Sequence, residues 1–300
     1  MSLPASAAVA IALALGSLSL VTVTDGHHSQ NVTIRTPDDR SPRTCADVVV
    51  TFDDQPAATA EDHLRVPRPA GALNLRAPSS GGIFVVGTSR ADFAVTVCKA
   101  VAPSGDTNAA LASIRPSAAA GTVSVSGGDA DRWIAYLLVE APREAAIDLE
   151  ALNGPLEVRD VAGRTAARTT NGPINLANVS GTVTARAQNG PVRFVGSTGA
   201  VDLETQNGPI GVRLDGERWT TGSLTAHAQN GPVKVEVPQN FASGVRVESS
   251  NHAPWKCRGT ACESAKRSWD DGSRWIELGR GPVAVRVATV NGPVAVDWAP

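Results

Sequence analysis

Two carboxylates, Asp202 and Glu204, alternate onto one face of a strand-like run. Paired carboxyls about 5 to 9 Å apart on one face are what glycoside hydrolysis requires. Their neighbours at the chain's repeat period point to a plainer role. Arg186 and His227 fall beside Glu204, and Thr184 and Thr225 fall beside Asp202, so an ion pair between adjacent strands accounts for Glu204. No other outer position of the regular repeat sets carboxylates next to each other. The five histidines are scattered, and the chain holds neither a Gly-x-Ser-x-Gly elbow nor a phosphate loop. No catalytic, cofactor-binding or metal-ligating residue is therefore assigned.

Sulfur and indole supply the remaining chemistry. Four cysteines in an exported chain predict two disulfides, Cys45 with Cys98 and Cys257 with Cys262. A metal site at Cys257 and Cys262 with His252 lacks a fourth ligand at zinc-like spacing. Trp255, Trp269 and Trp275 share the segment 251–280, which interrupts an otherwise regular pattern. Insertions of this kind cluster on binding faces, which makes the three tryptophans candidate ligand contacts. The plainer reading is that they cover one end of the molecule.

These residues are positioned by a repeat. Asn-Gly-Pro followed by an aliphatic residue occurs six times, at Asn153, Asn171, Asn189, Asn207, Asn230 and Asn291, and the first four copies are 18 residues apart. Two places after each Gly stand Leu156, Ile174, Val192, Ile210 and Val233, and two places further stand Val158, Leu176, Phe194, Val212 and Val235. Polar or small residues separate the two columns, which is the alternation of a strand with one face buried and one wet. Gly163, Gly181 and Gly199 mark a second half to each repeat, so each coil has two similar sides.

The expected fold is all-β: a single-stranded parallel β-helix, or β-solenoid, with coils of about 18 residues, taken as right-handed. Pro removes an amide hydrogen and so belongs at a corner, while Gly and Asn tolerate unusual corner dihedrals. Stacked at one corner, the asparagines predict an amide ladder, with Gln188, Gln206 and Gln229 forming a second ladder beside it. Both are read as scaffold.

Organisation along the chain follows. The apolar, uncharged run from Ala5 to Val23 reads as an export signal, residues 1–24, with a retained membrane anchor as the alternative. Residues 25–70 form an N-terminal cap and lead-in, with a strand at Val48–Phe52. The solenoid occupies 71–300 and begins with irregular coils and a short helix at Thr107–Ile114. Five extra residues within 214–219 predict a loop leaving a corner.

Few aromatic residues and much Val, Ala, Gly and Thr suit thin coils. A net charge of -2 without a basic cluster leaves no footprint for nucleic acid.

The stretch from about Gly71 to Trp298 resembles the putative adhesin family of bacterial exported proteins. The resemblance rests on Thr169-Thr170-Asn171-Gly172-Pro173-Ile174, on Val179-Ser180-Gly181-Thr182-Val183, and on the ending Gly281-Pro282-Val283-Ala284-Val285 with Asn291-Gly292-Pro293-Val294-Ala295-Val296. It implies a β-solenoid and supplies no catalytic residue. The expected function is a non-enzymatic structural or adhesin-like binding surface of the bacterial cell envelope, in the periplasm, at the cell surface or secreted. Its partner would be a glycan or another envelope component, with end-to-end self-association a further possibility and membrane contact only through an uncleaved leader. The alternative is a carbohydrate-active enzyme, a polysaccharide lyase or hydrolase, on a parallel β-helix.

Overall fold

Alternating apolar residues build two sheets that face each other across one interior. The computed structural model describes residues 19–23, 30–35, 41–128, 132–251, 254–270 and 273–298. In the first sheet, of 12 strands, Ile147–Asn153, Thr165–Asn171, Thr182–Asn189, Ala200–Asn207 and Leu224–Asn230 run parallel with their asparagines in register. In the second, of 11 strands, Leu156–Arg159, Ile174–Ala177, Val192–Gly196, Ile210–Leu214 and Val233–Val237 do the same. The inward residues of both, such as Leu203, Ala226, Ile174 and Val192, are fully buried in one continuous core.

Each Asn-Gly-Pro corner joins a strand of one sheet to a strand of the other. The glycine N–H donates to the asparagine carbonyl of the next coil, and the following aliphatic N–H donates to the proline carbonyl, as in Gly172 to Asn189 (3.1 Å) and Ile174 to Pro191 (2.9 Å). These bonds need only the proline carbonyl, so the ring removes no ladder bond. The glycines meet a stricter demand than dihedral freedom. A Cβ on Gly190 would lie 2.1 Å from the Gly172 carbonyl oxygen, and one on Gly208 would lie 2.2 Å from that of Gly190. Every coil rests its corner backbone on the glycine of its neighbour.

The strands of this middle stretch pair parallel, but the sheets as a whole are mixed, where the repeat predicts a parallel β-helix throughout. Antiparallel strands close both ends of the first sheet and the N-terminal end of the second, whose other edge strand, Trp255–Cys257, is parallel. Ala58–Val66 pairs with Phe93–Val101, which pairs with Trp133–Pro142. Arg115–Ala119 pairs with Thr122–Ser126. At the far end Lys266–Asp270 pairs with Ser273–Leu278, which pairs with Gly244–Ser249. A bare parallel edge would offer unpaired N–H and C=O groups to any other chain. The closing strands carry charge instead, with Glu61, Asp62, His63 and Arg65 on an edge of the second sheet and Lys266 and Arg267 on an edge of the first.

Spatial order also departs from chain order, where the repeat predicts simple succession. Val283–Asn291 lies between Leu224–Asn230 and Gly244–Ser249, parallel to both, and Val294–Trp298 lies between Val233–Val237 and Trp255–Cys257. The last Asn-Gly-Pro coil is thus inserted beneath one formed earlier in the chain. The opposite end has the same device, with Leu73–Arg76 between Thr122–Ser126 and Ile147–Asn153.

The N-terminal region covers a flank as well as an end. Val48, Val50 and Phe52 pack on the outer side of the second sheet against Phe84, Ile134, Tyr136 and Leu138, forming a second buried cluster. The run Trp133–Val139 has no polar residue because both faces of that strand are covered. Burial raises the Tyr136 phenol above its ordinary value of 10.0, which favours its neutral form. The helix Thr107–Ser113 is capped by Asp106, whose side chain accepts from the Ala109 N–H at 3.0 Å. Its C-terminal carbonyls meet the buried Lys99, whose Nζ donates to Leu111 and Ile114 and pairs with Asp62 at 2.8 Å. Ser19–Val23 pairs antiparallel with Gln30–Arg35, and the rest of the proposed leader lies outside the described residues.

Both expected disulfides are present. Cys45 and Cys98, 53 positions apart in sequence, stand 5.3 Å apart at Cα, and Cys257 and Cys262 stand 5.8 Å apart. The first staples the flanking cluster to the sheet. Closing a loop of that size in the unfolded chain stabilises the fold by about 4 kcal/mol. A Cys45→Ser/Cys98→Ser variant is accordingly expected to melt about 10 °C lower in a calorimetric scan. A shift of only a degree or two would show that the flank holds without its staple.

Candidate binding faces

The asparagine ladder forms as expected and runs through every coil of the regular stack. Asn171 Nδ2 donates to Asn153 Oδ1 at 2.8 Å, Asn189 to Asn171 at 2.9 Å, Asn207 to Asn189 at 3.0 Å, and Asn230 to Asn207 at 3.1 Å. Asn291 then donates to Asn230 at 2.9 Å and Asn251 donates to Asn291 at 3.2 Å. Asn251 belongs to no Asn-Gly-Pro triplet, and only the inserted last coil brings it to the ladder's end. Asn153 donates to the Ser79 carbonyl at 3.1 Å, closing the other end. Each of these amides is thus engaged by its neighbours along the row.

The glutamines do not follow. Gln188, Gln206 and Gln229 are exposed, and among the described residues no hydrogen bond joins them. They form one wall of a shallow trough of about 720 Å³ on the outer face of the first sheet, crossing its strands from Ile147–Asn153 to Leu224–Asn230. The other wall is the register row Glu150, Arg168, Arg186, Glu204 and His227.

Asp202 and Glu204 lie on this face. Arg186 takes both, with one guanidinium nitrogen 3.0 Å from Asp202 and another in contact with Glu204. His227 is half-buried beside Glu204 in the next strand. The ion pair expected from the sequence is present, and Asp202 joins it. The exposed pairs elsewhere are ordinary, for example Arg164 with Asp148 at 2.7 Å. Glu157 is the exception, a buried carboxylate held by the Ser41 hydroxyl and by Arg159 at 2.5 Å.

The three candidate tryptophans divide between two places. Trp269 is 47% exposed and meets half-buried Trp255 edge-on, with ring centroids 5.3 Å apart. Their strands end the first and second sheets respectively, so this pair bridges the sheets at the end of the stack. Trp275 stands opposite Glu248, two strands beyond Ala288, and thereby extends the row that contains His227. Arg246 lies over its ring at 4.3 Å. Alternation along Ser273–Leu278 explains the division, because Ile276 and Leu278 turn inward and send Trp275 to the outer face.

Residues 214–219 hold one functional surprise for packing. Trp219 turns back into the core, donates its indole N–H to the Gly199 carbonyl at 3.2 Å and meets Phe194 at 6.0 Å. The predicted loop leaves the corner and returns to plug it. His252, the third residue of the rejected metal reading, lies outside the described residues, and no group of metal-ligating side chains occurs among those described.

The fold and these faces define an all-β protein of unclosed sheets, two large ones enclosing the core and a four-stranded one on the flank, with two disulfides. Neither a family model nor a curated protein sequence matches the chain. Several solved structures are similar to it. A putative adhesin from Bacteroides fragilis is 10% identical over 81% of this chain and 97% of its own, with a TM-score of 0.36. A putative cell adhesion protein from Clostridium sporogenes is 9% identical over 81% and 100%, with a TM-score of 0.32. A putative lipid binding protein from Parabacteroides distasonis is 7% identical over 80% and 95%, with a TM-score of 0.26. No helix among the described residues is long and apolar enough to cross a membrane.

Proposed function

We propose that this chain is an exported, non-enzymatic β-solenoid that presents an adhesin-like binding surface to a glycan or another component of the cell envelope. Export is supported by the apolar run proposed as a leader, residues 1–24, and by two disulfides, which persist in oxidising compartments. The parallel β-helix reading, right-handed, describes the coils from about residue 71, with 25–70 as cap and 251–280 as an end-covering insertion. One observation carries the non-enzymatic reading. Asp202 and Glu204, the carboxylates best placed for acid and base, both ion-pair with the one guanidinium of Arg186 on an open face. Catalysis needs two carboxyls held in different protonation states, which burial or mutual repulsion supplies and a shared guanidinium opposes.

Trp255, Trp269 and Trp275 are the proposed aromatic contacts. Large exposed indoles supply contact area at low entropic cost, and Trp269 is the most exposed aromatic of the described chain. A glycan-array and cell-wall pull-down screen of the purified protein tests the reading. Binding by the wild type, lost in a folded Trp255→Ala/Trp269→Ala/Trp275→Ala variant, is the expected result. Turnover of an arrayed polysaccharide would replace it with the alternative, a polysaccharide lyase or hydrolase.

A further inference from the structure

We infer that the trough on the outer face of the first sheet is a binding site for an extended, carboxylated polysaccharide lying along the stack, across the strands, with Trp275 at its far end. The inference rests on the binding-surface reading above and adds to it a site, a direction and a ligand class.

Three observations point the same way. The first is a contrast between two amide rows. The asparagines and the glutamines share register and spacing, yet each asparagine satisfies its neighbour and no glutamine does. Gln188, Gln206 and Gln229 thus present donors and acceptors at the strand repeat, roughly 4.8 Å apart. A chain of hydroxyl-bearing sugars can use both functions of each amide.

The second is an uncompensated cation. Arg168 lies between Glu150 and Arg186 in the register row, but Glu150 turns to Arg76 at 3.6 Å and Arg186 holds Asp202 and Glu204. Among the described residues Arg168 has no carboxylate partner. Its planar fork suits a carboxylate of a ligand. The third is shape. The trough crosses five successive strands, a run of about 19 Å that a compact ligand would not fill. Beyond it the same row passes Ala288 and Glu248 to Trp275, a half-buried indole in line with the trough that Arg246 covers on one face.

Titration of the purified protein with polygalacturonate, and with its methyl-esterified form, tests the site. Tight binding of the acid form only is expected, weakened at least tenfold by Arg168→Gln and by Gln188→Ala/Gln206→Ala, and little changed by Trp255→Ala/Trp269→Ala. Arg168, Gln188, Gln206 and Trp269 are exposed and Trp255 is half-buried, so the thermal melting of each variant is measured as the control. Equal affinity for both polymers, or trough variants that bind like the wild type, would overturn the inference. If binding then fails only in the Trp255→Ala/Trp269→Ala variant, the adhesin-like reading survives and its site moves to the end of the stack. Failure of the wild type to bind this polymer, alongside a positive glycan array, rejects the ligand class alone, and failure in both screens rejects both readings.

Discussion

Gly190→Ala is expected to destabilise the protein by about 3 kcal/mol or more, a large effect for the addition of one methyl group. The new Cβ would stand 2.1 Å from the Gly172 carbonyl oxygen, with the Gly172 carbonyl carbon at 2.7 Å. Both atoms are backbone, so no side chain can swing aside. Relief would require the corner to rise from its neighbour, which lengthens the Gly172 to Asn189 bond (3.1 Å) and strains the amide link from Asn189 to Asn171 (2.9 Å). Gly211→Ala is the matched control. Its Cβ would meet only Arg193 Cγ, at 3.7 Å, and alanine there reduces the entropy of the unfolded chain. Urea titration should separate the two variants by several kcal/mol at similar slopes. Equal midpoints would mean that the corner glycines are tolerated for their dihedrals alone, and that the stacking of glycine on glycine has no energetic consequence.

That glycine column also shows what the sequence discloses and what it withholds. The triplet's period, the inward Leu156, Ile174, Val192 and Ile210, and the ladder from Asn153 to Asn230 are all local regularities, and a reader of one coil can extrapolate to the next. The helix at Thr107–Ser113 and the strand Thr122–Ser126 fall where composition places them. Long-range order is a different matter. Nothing in Val283–Asn291 distinguishes a coil added last from one slid between two earlier coils, because its inward valines fit either site. The flank cluster left one trace, the unbroken apolar run through Ile134 and Leu138, which a strand wet on one face would not need. Trp219 left none, since a tryptophan after Asp-Gly-Glu-Arg reads as a loop residue until Phe194 and the Gly199 carbonyl are seen around it.

At the candidate site the legible part was the ion pair. Arg186 and Glu204 occupy one column of an 18-residue period, so their contact follows from arithmetic. The failure of the glutamine row to become a ladder does not follow from spacing. One more methylene lets each glutamine amide lean into solvent, whereas the shorter asparagine is held at the corner by the bonded backbone beside it. The separation of Trp275 from Trp255 and Trp269 was equally hidden, because it depends on the phase of a hairpin whose register is set by Val247 opposite Ile276.

Removing residues 281–300 is expected to unfold far more than one coil. In a stack assembled in chain order, such a truncation would shorten one end and leave its neighbours paired. Here it withdraws the partners of Leu224–Asn230, Val233–Val237, Gly244–Ser249 and Trp255–Cys257 together. The buried side chains of Val285, Val287, Val294 and Val296 alone contribute about 8 kcal/mol, comparable to the whole stability of an ordinary domain. In each sheet two parallel edges would then face each other across the gap with their backbone N–H and C=O groups unpaired. Hydrogen exchange followed by mass spectrometry should show residues 224–257 losing protection along with the hairpin 266–278, while 147–207 keeps much of its own. A truncated chain that retains protection across 244–257 would mean that the earlier coils close up on each other, and that the inserted position of the last coil is a consequence of folding order and not a requirement of the fold.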